Sequence, residues 1–162
     1  MAQSKDSNSL LDTTSLGEIS WARVAIVHTE WNDAIVAEQI AGADRIFFQH
    51  GVTKVDYFAV PGSVELTYAC KQAGKFADAI IAFGAVIRGG TPHFDYVCKS
   101  VTEGITQLNI TLDVPVIFGV LTLDNEAQAW ERLGGIHGHK GEEAAIAALK
   151  MIQLKKTLDK II

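Results

Sequence analysis

Arg88 and His93 stand at the two ends of a glycine-rich segment, residues 88–93. An arginine guanidinium binds anions, and a histidine imidazole takes up and releases protons near neutral pH. An apolar, β-rich run at residues 79–87 precedes the segment and helical spacing follows from residue 94, which predicts a loop between a buried strand and a helix. Such loops carry the ligand sites of parallel sheets, so we favour a functional histidine over one that only satisfies backbone groups at the helix start.

A second glycine-rich segment, residues 134–141, is flanked by Arg132 and contains Lys140. Each cation alone fits a solvated surface charge. Together, ahead of a helix predicted from residue 142, they suit the binding of a phosphate group. The segment is not a nucleotide-binding P-loop, because Gly141 follows the lysine where a serine or threonine is required.

Trp31, Ser63 and Glu65 follow the first two predicted strands. A tryptophan at a loop tip suits stacking on a planar ring, although it equally fits a cap on the core. Glu65 fits a ligand contact and equally a favourable charge at a helix N-terminus. We expect these side chains to form one pocket with His93, an arginine and Lys140, and such a pocket would suit a planar polar ring and a small anion.

The elements that must position these residues alternate between strand and helix patterns along the chain. Strands are predicted at 24–29, 54–60, 79–87 and 116–122, and helices at 33–50, 64–75, 94–112, from 124 or 125 to 133, and 142–156. Right-handed crossovers turn this order into an α/β fold, a three-layer flavodoxin-like sandwich with a four-stranded parallel sheet and helices on both faces. The loops after the strands then converge at one edge of the sheet.

Composition limits the class of protein. The chain has 162 residues, 48% of them hydrophobic, and a formal net charge of -5. We therefore expect a single domain over residues 18–162, preceded by a flexible N-terminal arm at residues 1–17, and no nucleic-acid partner. Residues 18–21 fit a short strand that pairs with a neighbouring chain. With neither a leader pattern nor a membrane-length apolar run, we expect a soluble cytoplasmic protein without a membrane partner.

The residue types that bind metals or form disulfides do not cluster in sequence. Cys70 and Cys98 lack metal-ligand spacing and fall in predicted helices, which favours reduced, buried thiols. His137 and His139 alternate, but no cysteine, aspartate or third histidine lies close to them. We predict no metal site.

Four blocks of residues, in order and with matching spacing, resemble the 6,7-dimethyl-8-ribityllumazine synthase family over residues 23–154. They are residues 30–32, residues 61–66, residues 84–97, and residues 118–122 continuing through 128–129 to 132–141. The resemblance implies condensation of 5-amino-6-ribitylaminouracil with 3,4-dihydroxy-2-butanone 4-phosphate in the penultimate step of riboflavin biosynthesis. It implies neither a cofactor nor a metal.

The resemblance also assigns roles to particular residues. His93 matches the proton-transfer histidine, Trp31 the aromatic that stacks on the pyrimidine, and Arg132 the phosphate-binding arginine. The implied substrate contacts are Trp31, Ser63, Val64, Glu65, Ala85, Val86, Ile87, Gly90, Thr91, Phe118, Arg132 and Lys140. Of these, Phe118, Arg132 and Lys140 match residues that an adjacent subunit supplies.

The resemblance further implies a homo-oligomer, either a pentamer or a 60-mer of twelve pentamers. Riboflavin synthase is a further candidate partner. The chain departs from the family pattern at Trp31, often phenylalanine, at Ala85, often a hydroxyl residue, and at His139, commonly asparagine. Two other functions remain open, a non-catalytic flavin- or lumazine-binding module and a structural shell protein.

Overall fold

The computed structural model describes residues 11–161, which form one alternating series of strands and helices. The elements are β1 (Arg23–Thr29), α1 (Asp33–Gln49), β2 (Lys54–Val60), a 3-10 turn (Ser63–Glu65), α2 (Leu66–Ala73), β3 (Ala79–Ile87), α3 (His93–Thr111), β4 (Val116–Leu123), α4 (Ala127–Glu131), β5 (Leu133–Gly135), β6 (Gly138–His139) and α5 (Lys140–Leu158). In this part of the chain, no helix is long and apolar enough to cross a bilayer.

Four parallel strands form the central sheet in the order β2-β1-β3-β4. Strands β1 and β3 lie in the middle and are almost wholly buried, whereas the edge strands β2 and β4 are partly exposed. This burial explains why the central strands are apolar on both faces. The predicted α/β three-layer flavodoxin-like sandwich is confirmed.

The two faces of the sheet carry separate cores because successive strand residues point to opposite sides. Ile26 and Ile81 pack with α1 and α5 on one face, while Val27 and Ile80 pack with α2 and α3 on the other. A smaller cluster that includes Ile35, Ala85 and Leu123 closes the end of the sheet where the strands finish.

The segment around residues 134–139 differs from the prediction of a loop. Strands β5 and β6 pair there as a short antiparallel hairpin, with Leu133 opposite His139. Strands of two or three residues are too short for an apolar alternation to reveal them. The last helix also begins at Lys140 rather than at residue 142, with His139 as its N-cap.

The hydrophobic core includes a residue of the segment that was predicted to be a flexible arm. Leu16 is 1% exposed and lies in the first core cluster, although the sequence analysis places it in the arm. Residues 18–21 form bends and turns, not a strand, in the single chain. Residues 1–10 of the predicted arm lie outside the described part, so the domain boundaries stay a prediction.

The two cysteines differ in their surroundings. Cys70 is buried as predicted, and burial raises the pKa of its thiol to about 12. Cys98 is only half-buried, so the prediction of two buried thiols is wrong for this residue, because it lies on α3 near the exposed charges of Arg88 and Asp95. Both thiols are free.

Helices α1 and α5 approach each other closely at Gly141. A β-carbon on this residue would overlap the backbone carbonyl of Gln39 on α1, which cannot move as a flexible side chain could. We expect Gly141→Ala to lower the free energy of unfolding by about 1–3 kcal/mol, the usual cost of overpacking. Denaturant titration measures this change. Gly89→Ala is the matched control, because no atom lies within 4 Å of its β-carbon position, and equal midpoints for both variants would contradict the close approach.

Candidate active site

Strands β1, β2 and β3 run parallel and end toward the same edge of the sheet, and a hydrogen bond joins the segment after β1 to the end of β2. The backbone N–H of Glu30, after β1, donates to the carbonyl of Val60 at the end of β2, 2.8 Å away. Parallel pairing of β1 with β3 places Phe83 beside His28, and β3 continues past the end of β1 to Ile87. The predicted site residues that follow β1, β2 and β3 therefore lie at the same edge of the sheet.

Trp31 and Glu65 form the open part of this edge. The indole is 73% exposed, so Trp31 does not cap the core. Its Cδ1 atom and Glu65 Oε2 both lie near Gly62, 3.8 Å and 3.1 Å from the position that a β-carbon there would take. Ser63 is buried beneath them and Val64 is exposed. Over residues 11–161 no hydrogen bond or ion pair engages the Glu65 carboxylate, so it remains able to bind a hydroxyl group.

Asn32 holds the tryptophan loop against β3, a role that the sequence analysis did not assign. Its backbone is left-handed, with φ 58°, a conformation that asparagine tolerates better than most residues. Its side-chain Nδ2 donates to the Ala85 carbonyl at 2.7 Å, and Thr29 Oγ1 donates to the Trp31 carbonyl at 3.0 Å. An asparagine shortly after a strand is a turn signal, which makes this position detectable in sequence.

The end of β3 leads from a buried to an exposed segment. Ala85 is buried and its carbonyl already accepts from Asn32, whereas Val86 and Ile87 are half-buried. Gly90, Thr91 and His93 are exposed, and helix α3 begins at His93. The His93 backbone N–H donates to Thr91 Oγ1 at 3.4 Å. In the described residues the His93 imidazole makes no hydrogen bond, so its ring is available to a ligand.

Arg88 is held by neighbouring carboxylates and is not an open anion site. Its Nε lies 3.0 Å from Asp124 Oδ1 and its NH1 lies 3.3 Å from Asp95 Oδ1. The guanidinium also lies 4.1 Å from the centre of the Phe94 ring. The hydrogen bond to Asp124, with the Asp95 charge, raises the pKa of Arg88 further. Arg88 therefore joins the residue that follows β4 to the first turn of α3, the helix that begins at His93.

Phe118, Arg132 and Lys140 line a separate groove of about 190 Å³ along the edge strand β4. Arg132 NH1 donates to the Gln128 carbonyl at 2.9 Å and lies 3.6 Å from Glu131 Oε2, while about a third of the side chain stays exposed. This geometry holds the arginine in place and leaves part of its charge facing the groove.

Lys140 forms a largely buried ion pair with Glu143. The ammonium lies 2.8 Å and 2.7 Å from the two carboxylate oxygens, and the side chains are 14% and 9% exposed. Any anion that binds Lys140 must compete with this carboxylate. The Glu131 carboxylate lies 3.6 Å from Arg132, whereas the Glu143 carboxylate lies 2.7 Å from Lys140, so Arg132 is the stronger candidate of the two for an anion contact.

The single chain does not bring its two groups of predicted site residues into one pocket. The β4 groove is lined by residues of β4, by Arg132, by Lys140 and by Ala144. None of Trp31, Ser63, Glu65 and His93 lines it. Across residues 11–161 no group of three or more histidine, cysteine, aspartate or glutamate side chains could hold a metal ion.

A flavodoxin-like sandwich with unpaired polar and aromatic side chains beyond its strand ends is a ligand-binding α/β protein. The family model of 6,7-dimethyl-8-ribityllumazine synthase matches residues 21–156. The chain belongs to this family, which confirms the family resemblance and the prediction of an enzyme.

Curated relatives support the same conclusion over nearly the whole chain. The 6,7-dimethyl-8-ribityllumazine synthase of Parabacteroides distasonis is 44% identical, covering 94% of this chain and 98% of the relative. That of Porphyromonas gingivalis is 50% identical, covering 83% of this chain and 86% of the relative. That of Christiangramia forsetii is 46% identical, covering 96% of both.

Proposed function

We propose that this chain is a transferase of riboflavin biosynthesis. It condenses 5-amino-6-ribitylaminouracil with 3,4-dihydroxy-2-butanone 4-phosphate and releases 6,7-dimethyl-8-ribityllumazine, phosphate and water. The observation that carries the proposal is the family match over residues 21–156, because this range includes both groups of candidate site residues. The relatives' names describe the same product.

The pyrimidine substrate binds at the edge formed by the loops after β1, β2 and β3. Trp31 stacks on the ring, since its exposed indole offers a flat apolar face. Glu65 and Ser63 accept hydrogen bonds from ribityl hydroxyls, while Val64 contributes apolar contact. The backbone from Ala85 to Ile87 borders the ring, and the asparagine contact from Asn32 keeps that border in register with the tryptophan.

The phosphate of the second substrate binds between Arg132 and the turn at Gly90 and Thr91. This turn directly precedes α3, a helix of 19 residues, whose first backbone N–H groups attract negative charge. Arg132 supplies a full positive charge and a charge-assisted hydrogen bond. Lys140, neutralised by Glu143, shapes the groove together with Phe118.

The reaction begins when the 5-amino nitrogen of the pyrimidine attacks the ketone carbon of the butanone phosphate. His93 moves protons as the resulting carbinolamine loses water to form an imine. Phosphate then leaves, its charge stabilised by Arg132, and closure of the second ring with loss of another water gives the lumazine. Holding the two reactants together contributes more than proton transfer, about 7–11 kcal/mol of the barrier at most.

Two copies of the chain complete each site, because one copy keeps the Arg132 groove apart from His93 and Trp31. The partly exposed edge strands and the exposed aromatic rings of Phe48, Tyr57 and Phe58 are suited to contacts between copies. The proposed assembly is a homo-oligomer, a pentamer or a 60-mer of twelve pentamers, in the cytoplasm, with riboflavin synthase as a further candidate partner.

The test follows formation of the fluorescent lumazine and release of phosphate in the same sample, for wild type and Arg132→Ala. We expect equal amounts of both products from wild type. In the variant, KM for the butanone phosphate should rise about 10–100-fold, since a hydrogen bond to a charged group contributes about 1.5–3 kcal/mol. KM for the pyrimidine should change little.

Arg23→Ala is the matched control, because this arginine begins β1 at the opposite end of the strands, where it pairs with half-buried Asp56 and lies over the Phe76 ring. Absence of lumazine from a folded wild-type oligomer would reject the synthase and favour a binding module if riboflavin still binds, or a structural shell protein if it does not. Wild-type kinetics in Arg132→Ala would reject the phosphate contact alone.

A further inference from the structure

The imidazole of His139 links the β5–β6 hairpin to helix α1. Its side chain is 7% exposed, and its Nε2 lies 3.1 Å from Glu38 Oε1. On the same helix, the ring occupies the space that a β-carbon on Gly42 would take. Because Gly42 has no side chain, helix α1 leaves a slot for the ring, and the Glu38 carboxylate lies at the end of this slot.

The second ring nitrogen caps helix α5. The backbone N–H of Glu142 points at His139 Nδ1 from 3.4 Å, so Nδ1 acts as an acceptor. The ring proton is then on Nε2, which donates to Glu38. This hydrogen bond lowers the pKa of the Glu38 carboxyl, with a further contribution from Arg45. In this orientation each ring nitrogen has a hydrogen-bond partner.

Arg45 closes the polar network around the ring. Its Nε lies 2.9 Å from Glu142 Oε1, and its NH2 lies 3.4 Å from Glu38 Oε1. These ion pairs are partly exposed, so each contributes little by itself. The buried imidazole is the member of the network that restricts the position of the hairpin.

The hairpin carries Arg132 at its start and Lys140 at its end. Their backbones are bonded directly, since the Lys140 N–H donates to the Arg132 carbonyl at 2.8 Å. Between them, Leu133 pairs with His139 across the hairpin. A shift of His139 out of its slot on α1 therefore displaces the backbone of Arg132 and the wall of the β4 groove.

We propose that His139, held by Glu38 and Gly42, is a positioning residue that sets where Arg132 meets the phosphate of the substrate. This inference rests on the proposed function, and neither His139 nor Glu38 touches substrate. The juxtaposition that carries it is a buried imidazole bonded to α1, beside the backbone pair that ends in the anion-binding arginine.

His139→Ala should raise KM for the butanone phosphate about 10–100-fold, because a displacement of about 1 Å is enough for such a loss. The dissociation constant of inorganic phosphate, measured by titration calorimetry on the same oligomer, should rise by a similar factor. KM for the pyrimidine should stay within about 2-fold, because Trp31 and Glu65 lie on other loops. A purely structural role would instead lower the active fraction and leave both KM values unchanged.

Three further variants separate the contacts of the ring. Glu38→Gln keeps an oxygen that accepts from Nε2 and should restore near-normal phosphate binding, whereas Glu38→Ala should resemble His139→Ala. Gly42→Ala retains the histidine but fills its slot, and should raise the same KM even if His139→Ala does not fold. His50→Ala, at the C-cap of α1 and outside this network, is the control for loss of a ring.

Unchanged phosphate affinity and KM in folded His139→Ala and Gly42→Ala would overturn the positioning role. Equal losses in Glu38→Gln and Glu38→Ala would overturn the hydrogen bond as its cause. If the wild-type protein forms no lumazine, the proposed function is wrong. The phosphate titrations alone then test the positioning role of His139. A wild-type protein that binds no inorganic phosphate overturns it.

Discussion

His93→Ala is expected to lower kcat by about 10²–10⁴-fold, the usual contribution of a positioned general acid or base, without abolishing the reaction. Binding and alignment of the two reactants remain in the variant and supply the larger share of the acceleration. KM for both substrates should change little, because the imidazole acts on protons and not on the phosphate or the ribityl chain. Steady-state lumazine formation measures both constants.

Chemical rescue strengthens this test. His93 is exposed at the start of α3, so added imidazole can reach the space that the substitution leaves and should restore part of kcat. The same concentration of imidazole should not affect wild type or His50→Ala. An unchanged kcat in His93→Ala would assign proton transfer to another group or to water.

Mixed oligomers of His93→Ala and Arg132→Ala should recover activity that neither variant has alone. If one copy supplies His93 and the adjacent copy supplies Arg132, random mixing of equal amounts leaves about a quarter of the sites intact. At low butanone phosphate, where both parent variants are slow, activity should therefore approach about a quarter of wild type. Co-expression with two affinity tags and purification over both provides the mixed oligomers.

The matched control mixes two variants from the same group of residues, His93→Ala and Trp31→Ala. In that oligomer every copy carries a defect in the group of residues that contains Trp31 and His93. Every site is therefore defective, and no recovery is expected. Recovery of activity in this control would contradict the proposed division of the site between copies. A lack of recovery in the mixture of His93→Ala and Arg132→Ala, with mixing verified, would also contradict it, because one chain would then have to supply both groups of residues.

Sequence patterns predicted most of the fold because its central strands are buried on both faces. The apolar runs of β1 and β3, and the helical spacing between them, specify a parallel sheet covered by helices. The hairpin of β5 and β6 was missed, since elements of two or three residues leave no periodic signal. The strand expected at residues 18–21 needs a partner that a single chain does not contain.

Predictions for the candidate site followed from the position of residues along the chain. Trp31, Glu65 and His93 each follow a strand, and parallel strands bring such positions to one edge. Asn32 was overlooked as a positioning residue because its contact, a hydrogen bond to the Ala85 carbonyl, crosses 53 residues of sequence. Residue type indicates which side chains can take part in chemistry. It does not indicate which of those side chains are already bonded to other residues of the chain.

The sequence by itself therefore determined the sheet, the edge of the sheet at which the candidate site residues lie, and the family. Only the tertiary structure decided which cations are already engaged by carboxylates of the chain. Arg88 and Lys140 are held by carboxylates, and Arg132 retains charge toward its groove. The physical reason is that strand and helix patterns are local, whereas contacts such as His139 with Glu38, 101 residues apart, depend on how α1 and α5 pack.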